Sequence, residues 1–154
     1  TARFVCSVAF ADADGTILKV SRFNQADTEG RIALIIGDHL AELGDDIHAA
    51  TIERVGAMPK QGLSSTFTFG RVYGEAWAGL ILSKARVSSV TPGTWQSDMK
   101  LPKKVEYASH KRAIKQAAES RWGRTFTLDQ VDAIWIAEWA RLKGPWSRGA
   151  TEGG

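Results

Sequence analysis

Near the end of the chain Thr127 and Gln130 have the spacing of a capping box, in which a hydroxyl and a carboxamide satisfy each other's orphan backbone N–H groups. Such a pair fixes where a helix starts, and here it predicts one opening at Leu128. The register then follows at about 100° per residue. Leu128, Val131, Trp135, Trp139 and Leu142 fall on one apolar stripe, so this helix must be buried against something large. Asp132 lies about 40° from the centre of that stripe and Asp129 about 60° further round. Asp132 therefore faces inward, with Leu128, Trp135 and Ile136 one turn away. An ionised carboxylate there is costly unless a cation or hydrogen-bond donors meet it. Asp129 has a simpler use, because an acid in a first turn meets the positive end of the helix dipole. That use does not extend to Asp132.

What the helix packs on is read from the rest of the chain. Residues 4 to 11 and 16 to 23 are β-branched and apolar runs joined by an Asp-Ala-Asp-Gly turn, which predicts a hairpin. Asp27 is placed to cap a helix carrying Ile32, Ile35, Ile36, Leu40 and Leu43, and Gly44 to end it. A strand is expected over residues 47 to 55, then a loop over 56 to 62 containing Pro59. Ser64 or Ser65 opens a helix lasting to about residue 84. A strand over 87 to 91 is broken by Pro92 and Gly93, and Ser109 is placed to cap a helix ending near Trp122. Leading strands followed by alternating helices imply a mixed α/β sheet. The chain's 154 residues, with six Trp and six Phe, are enough for one core. We assign residues 1–143 to one domain and 144–154, which lack periodicity, to a flexible tail.

Composition excludes some classes. The one cysteine, Cys6, cannot form an internal disulfide, and no apolar run reaches the roughly 18 residues of a membrane helix. A cytoplasmic protein without membrane association is expected. Lysine and arginine number 20 against 17 acids, which permits a polyanionic partner without demanding one. His39, His48 and His110 are too scattered to form a metal site.

A third acid stands on the strand over 47 to 55, where alternation puts Ile47, Ala49, Thr51, Glu53 and Val55 on one face. Glu53 closes that face just before a glycine-containing loop, where open α/β sheets tend to place ligands. The plainer reading is a solvated strand end beside Arg54. Glu53, Asp129 and Asp132 together offer hard oxygen donors, which suit Mg²⁺ or Mn²⁺ rather than Zn²⁺. In the helix from Ser65, Gly70, Gly74 and Gly79 each cost about 1 kcal/mol relative to Ala, so close packing or a dimer interface is expected there. Phe67, Phe69, Tyr73 and Trp77 recur at helical spacing and read as core rather than as base-stacking platforms. Lys100, Lys103, Lys104, His110, Lys111, Arg112 and Lys115 form either a phosphate track or a solvated face.

Several segments together resemble one family. These are Ile52-Glu53-Arg54-Val55, then Met58-Pro59-Lys60-Gln61-Gly62, Ser65, Phe69-Gly70-Arg71 and Gly74. Val90-Thr91-Pro92 with Trp95, Lys111, and the closing Asp129-Gln130-Val131-Asp132-Ala133 complete the set. In order and spacing the chain resembles the RuvC-like Holliday-junction resolvases, particularly their phage-type branch. The resemblance implies a ribonuclease H-like mixed five-stranded sheet flanked by helices. It implies that Glu53, Asp129 and Asp132 are three of four acids holding two Mg²⁺ or Mn²⁺ ions, with Lys111 neutralising charge on the scissile phosphate. It places Lys60, Arg71, Lys103, Lys104 and Lys111 against DNA, in a homodimer needing no small-molecule cofactor. The activity implied is hydrolysis of phosphodiesters in Holliday junctions or other branched DNA. Alternatives are a non-catalytic branched-DNA-binding module, or a ribonuclease H-like nuclease acting on forks, flaps or hybrids.

The chain departs from the family pattern twice. The turn carrying the family's first metal-binding aspartate is absent, and aligning residues 8 to 15 with the family's second strand puts Thr1 at or beside that position. A first strand with its aspartate is therefore expected upstream of Thr1. Gly56 and Ala57 stand where some members carry a base-probing aromatic.

Overall fold

A computed structural model describes residues 5–12, 14–24, 31–43, 49–54, 56, 59–60, 62–103 and 106–147. Strands β1 (Val5–Ala11) and β2 (Ile17–Asn24) form an antiparallel hairpin in which Ala9 faces Val20. Their turn is closed by Asp12, whose Oδ1 accepts from the backbone N–H groups of Asp14 and Thr16, each at 2.9 Å. Helix α1 (Ile32–Leu43) precedes β3 (Ala49–Glu53), and helix α2 (Leu63–Leu82) carries the chain across to β4 (Arg86–Val90). The two strands pair parallel, with Glu53 opposite Val90. Three helices follow: α3 (Pro92–Asp98), α4 (Tyr107–Trp122) and α5 (Leu128–Lys143).

Among the described residues the four strands form two separate ladders, β1 with β2 and β3 with β4. Helix α5 joins them, packing on β1, β2 and β3 as well as on α3 and α4. One apolar cluster gathers Val90, Trp95, Ile114, Phe126, Val131, Ile134, Trp135 and Trp139, with Ala9, Ile17 and Val20 of the hairpin against it. The other gathers Ile32, Ile36 and Leu40 of α1 with Val72, Ala76 and Leu80 of α2, against Ala50, Ile52 and Val87. Helices thus cover the β3–β4 pair with two separate apolar cores, the layered arrangement expected of an α/β domain. No helix among the described residues is long and apolar enough to cross a membrane.

Several sequence expectations are corrected. Pro92 and Gly93 do not merely end β4: Pro92 is the first residue of α3, where its missing N–H costs nothing, and Thr91 caps the helix. Helix α4 opens at Tyr107 behind Glu106 rather than at Ser109, and α2 opens behind Gly62. The buried face of α5 is wider than the stripe, taking in Ile134, Ile136 and Glu138, while Leu128 and Leu142 stay exposed. A helix packed on several sides has more than one buried stripe. On α2 the buried residues are Val72, Ala76, Gly79 and Leu80, and Phe67 is 77% exposed. The caps expected at Asp27 and Gly44, with residues 47 and 48 of the expected strand, lie outside the described residues. Beyond α5 the described chain continues to Ser147, which is buried, and Arg86 lies over the ring of Trp146 at 5.2 Å.

The glycines of α2 divide by neighbour. A Cβ on Gly79 would lie 2.9 Å from the Cα of Ala33 and 3.1 Å from its carbonyl oxygen, so Gly79 lets α1 and α2 approach closely. Gly70 and Gly74 meet nothing within 4 Å and are exposed. Gly79→Ala should therefore destabilise the fold by about 1–2 kcal/mol, overpacking outweighing the gain in helix propensity. Gly74→Ala should stabilise an isolated chain by about 0.5–1 kcal/mol. Urea unfolding of both variants checks this, and shifts of the same sign would refute the close approach.

Candidate active site

Glu53 is the last residue of β3, and its neighbour across the ladder leads directly into the cap of α3. The Thr91 Oγ1 accepts from the backbone N–H of Thr94 at 3.3 Å, which turns the chain so that α3 starts beside the strand end. Four residues past its cap α3 presents Trp95, fully buried, whose Nε1–H donates to Glu53 Oε2 at 2.8 Å. The same short helix is held from two other sides. Gln96 Oε1 meets His110 Nε2 of α4 at 3.1 Å, and Asp98 Oδ2 accepts from Trp139 Nε1 of α5 at 2.7 Å. Glu53 is thus held by a helix that is itself fixed to both helices of the site.

Burial pushes the Glu53 carboxyl above its ordinary range, and the negative charge of Asp132 pushes it the same way; the Trp95 hydrogen bond and the Lys111 charge oppose them without prevailing. Asp132, one turn inside α5, is ion-paired through Oδ2 to the ammonium of Lys111 on α4. Its other oxygen, Oδ1, is buried with no hydrogen-bond partner. Asp129 sits a turn earlier on α5, exposed, in the first turn where the dipole favours it. The capping box read from Thr127 and Gln130 forms, with the Thr127 N–H donating to Gln130 Oε1 at 3.0 Å. Asp129, Asp132, Lys111, Arg112, Tyr107 and Leu128 line one groove of about 430 Å³ between the opening turns of α4 and α5.

The structure therefore brings Glu53, Asp132 and Lys111 together and sets Asp129 on the groove beside them. Among the described residues no three His, Cys, Asp or Glu side chains come close enough to hold a metal ion. The ammonium of Lys111 takes the place beside Asp132 that a cation would fill. The donors are nonetheless of the hard-oxygen type that a divalent ion such as Mg²⁺ takes. They are carboxylate oxygens only, one on a group whose proton affinity is raised and one buried without a donor. Of the other candidate residues, Lys60 and Lys103 are exposed, and Arg71 pairs with Glu75 at 2.7 Å on its own helix. Lys104 lies outside the described residues, as do positions 55, 57, 58 and 61 of the loop after β3. Sequence reasoning missed Trp95 as the donor to Glu53. Its signal is a Thr-Pro cap with a tryptophan one turn on, which aims an indole back toward the strand end.

No protein-family model matches the chain, and no curated protein matches it in sequence. Solved structures match it in fold. Thermus thermophilus RuvC in complex with a Holliday junction substrate aligns with a TM-score of 0.64 at 12% identity, over 92% of this chain and 98% of that one. A second Thermus thermophilus RuvC structure aligns with a TM-score of 0.61 at 14% identity, over 90% and 96%. The chain has a RuvC-like, ribonuclease H-like α/β fold.

Because the Glu53 carboxyl is raised above its ordinary 4.5, its ionisation costs stability. Below about pH 4.5 it is protonated in both folded and unfolded states and costs nothing. As pH rises through the folded value the cost develops fully. Glu53→Gln, which keeps an acceptor for Trp95, should be more stable than the wild type at pH 7 and lose that advantage below about pH 4.5. Trp95→Phe should move the Glu53 titration further up. Urea unfolding across pH, with carboxyl-carbon NMR titration of Glu53, checks both, and an advantage that grows on acidification would contradict the raised value.

Proposed function

We propose that this protein is a divalent-metal-dependent, structure-selective endonuclease of the phage-type RuvC branch, hydrolysing phosphodiesters in Holliday junctions or other branched DNA. One observation carries the reading: Glu53 of β3 and Asp132 of α5, remote in sequence, meet beside Lys111 in a chain with the RuvC fold. The RuvC solved with a Holliday junction substrate supports the choice of DNA.

In this reading Glu53, Asp129 and Asp132 hold Mg²⁺ or Mn²⁺, two ions in all. Bound metal supplies an activated water and offsets charge on the leaving oxygen. The chain's own residues do the rest. Trp95 fixes one Glu53 oxygen, Oε2. Lys111 pairs with Asp132 and stands at the groove to offset charge on a phosphate. Lys60, Lys103 and Lys104 would contact the DNA backbone.

The protein would act as a homodimer, since cutting two strands symmetrically calls for two sites. The exposed face of α2 supports this: Leu63, Phe67, Gly70, Gly74 and Ile81 lie along it without a charge, and the two glycines leave open space. A second reading, a non-catalytic branched-DNA-binding module, is favoured by the lack of a three-acid cluster among the described residues.

Expressed from its natural reading frame and supplied with Mg²⁺, the protein should nick a labelled four-way junction in preference to a matching linear duplex. Chelation should stop it, and Glu53→Gln should slow it roughly a hundredfold or more. Forks, flaps and RNA-containing hybrids in the same panel identify the preferred substrate. Tight junction binding without nicking would favour the binding module.

A further inference from the structure

A second cavity, of about 540 Å³, opens where the β1–β2 turn meets α4 and α5. Its walls carry Arg121, Arg124 and Arg141 together with the acids Asp14 and Glu138. It is distinct from the groove at Asp132: Glu138 stands about 9 Å further along α5, and Arg121 about 15 Å beyond Lys111 along α4, at 1.5 Å per residue.

Guanidinium groups repel one another unless something gathers them, and Glu138, 2% exposed, gathers two of the three, Arg121 and Arg141. Its Oε1 accepts from Nη2 of Arg121 and from Nη2 of Arg141, the latter at 2.6 Å, and its Oε2 accepts from Arg141 Nε at 2.8 Å. Burial alone would push this carboxyl up, but the two arginines outweigh burial and hold it below its ordinary value. Both oxygens are taken, so Glu138 orients the arginines without facing a ligand as a free acceptor. Arg121 and Arg124 lie over aromatic rings, Trp122 at 5.5 Å and Phe126 at 5.2 Å, an arrangement that fixes a guanidinium without using its N–H donors. Arg124 is exposed and has no carboxylate partner among the described residues; Arg121 is 44% exposed.

The remaining wall is stiff. Gly15 has φ +85°, and a Cβ there would lie 2.9 Å from Arg141 Nε, so the turn is shaped around that side chain. Trp122 Nε1 donates to the Gly15 carbonyl at 3.0 Å. Asp14 and Asp12 also act on Arg141, so among the described residues Arg124 is the arginine of this wall left without a carboxylate, at its exposed edge.

We propose that this cavity is a phosphate-binding site in which Arg124 and Arg121 present their fork of N–H donors to the oxyanion. Planar guanidinium groups match phosphate oxygens two at a time, which a lysine cannot do. The phosphate is carried by a nucleic-acid strand or is free in solution, and only the first source rests on the branched-DNA reading.

Two measurements on the wild type, Arg124→Ala and Arg124→Lys decide the matter, with Arg124→Gln as a second neutral variant should the alanine protein misfold. The first is anisotropy of a labelled four-way junction over a salt series, with Ca²⁺ in place of Mg²⁺. Arg124→Ala should bind about three- to tenfold more weakly, with a salt slope shallower by about one. Arg124→Lys should keep the slope and lose affinity. The second is thermal unfolding in inorganic phosphate against chloride of equal ionic strength, where phosphate should raise the wild-type Tm and Arg124→Ala should lose that rise. An effect in the junction series alone identifies a DNA strand as the source, and an effect in the phosphate series identifies a free oxyanion. Identical behaviour of wild type and Arg124→Ala in both overturns the proposal. If the wild type binds no junction, the branched-DNA reading falls and the phosphate series still decides this one.

Discussion

Helix α5 is buried on most of its circumference, packed on both strand pairs and on α3 and α4, yet it carries two acids on its covered faces. A carboxylate removed from water must meet a cation or donors, or lose its charge. Both of these acids, Asp132 and Glu138, meet a cation from α4, Lys111 and Arg121 standing near its two ends. The crossing of α4 over α5 is therefore pinned by charge at two points, with Trp122 and Trp135 in edge contact between them at 5.1 Å. The indole of Trp135 also donates to the Ile114 carbonyl at 3.2 Å. Packing sets how closely the helices approach, and the ion pairs set which residues meet.

Through α5 that constraint reaches the sheet. The two strand pairs share no ladder among the described residues, so the position of Glu53 relative to Asp132 depends on helices rather than on backbone pairing. Helix α3 closes this circuit. It is only seven residues long, too short to be stable by propensity alone, and it is held by side chains on three consecutive sides, Trp95, Gln96 and Asp98. Its role is to carry an indole donor to a strand end and to tie that donor to α4 and α5.

Much of this was readable in the residues. The capping box at Thr127 and Gln130 fixed the start of α5, and with it the inward direction of Asp132. Strand alternation put Glu53 at the end of β3, and the aliphatic spacing of Ile32, Ile36 and Leu40 identified the face of α1 that is buried. What escaped was tertiary. Periodicity treats a helix as having one apolar face, so it could not show that α5 is covered from several sides, nor that Phe67 points away from the core. It treats Pro92 as a breaker although the same residue opens a helix. Trp95, the donor on Glu53, was visible as a residue but not as a partner, because nothing in the sequence says that residues 53 and 95 meet. Glu138 was invisible for the same reason: its buried state depends on arginines from two segments.

The contrast between Asp132 and Glu138 separates candidate chemistry from structure. Both sit on one helix, and both are met by a cation from α4. Glu138 has every oxygen occupied and a carboxyl held below its ordinary value, the condition of a group whose charge the fold has fully compensated. Asp132 has one oxygen paired and one buried with no donor, and its negative charge helps to raise the proton affinity of Glu53. An orphaned acceptor beside a carboxyl driven upward is a deficit of positive charge that the protein has left in place. Giving Asp132 a second donor, or replacing the acid with an apolar residue, would relieve it. Its place at a strand end, beside the groove between α4 and α5, is what sets Glu53 and Asp132 apart from Glu138.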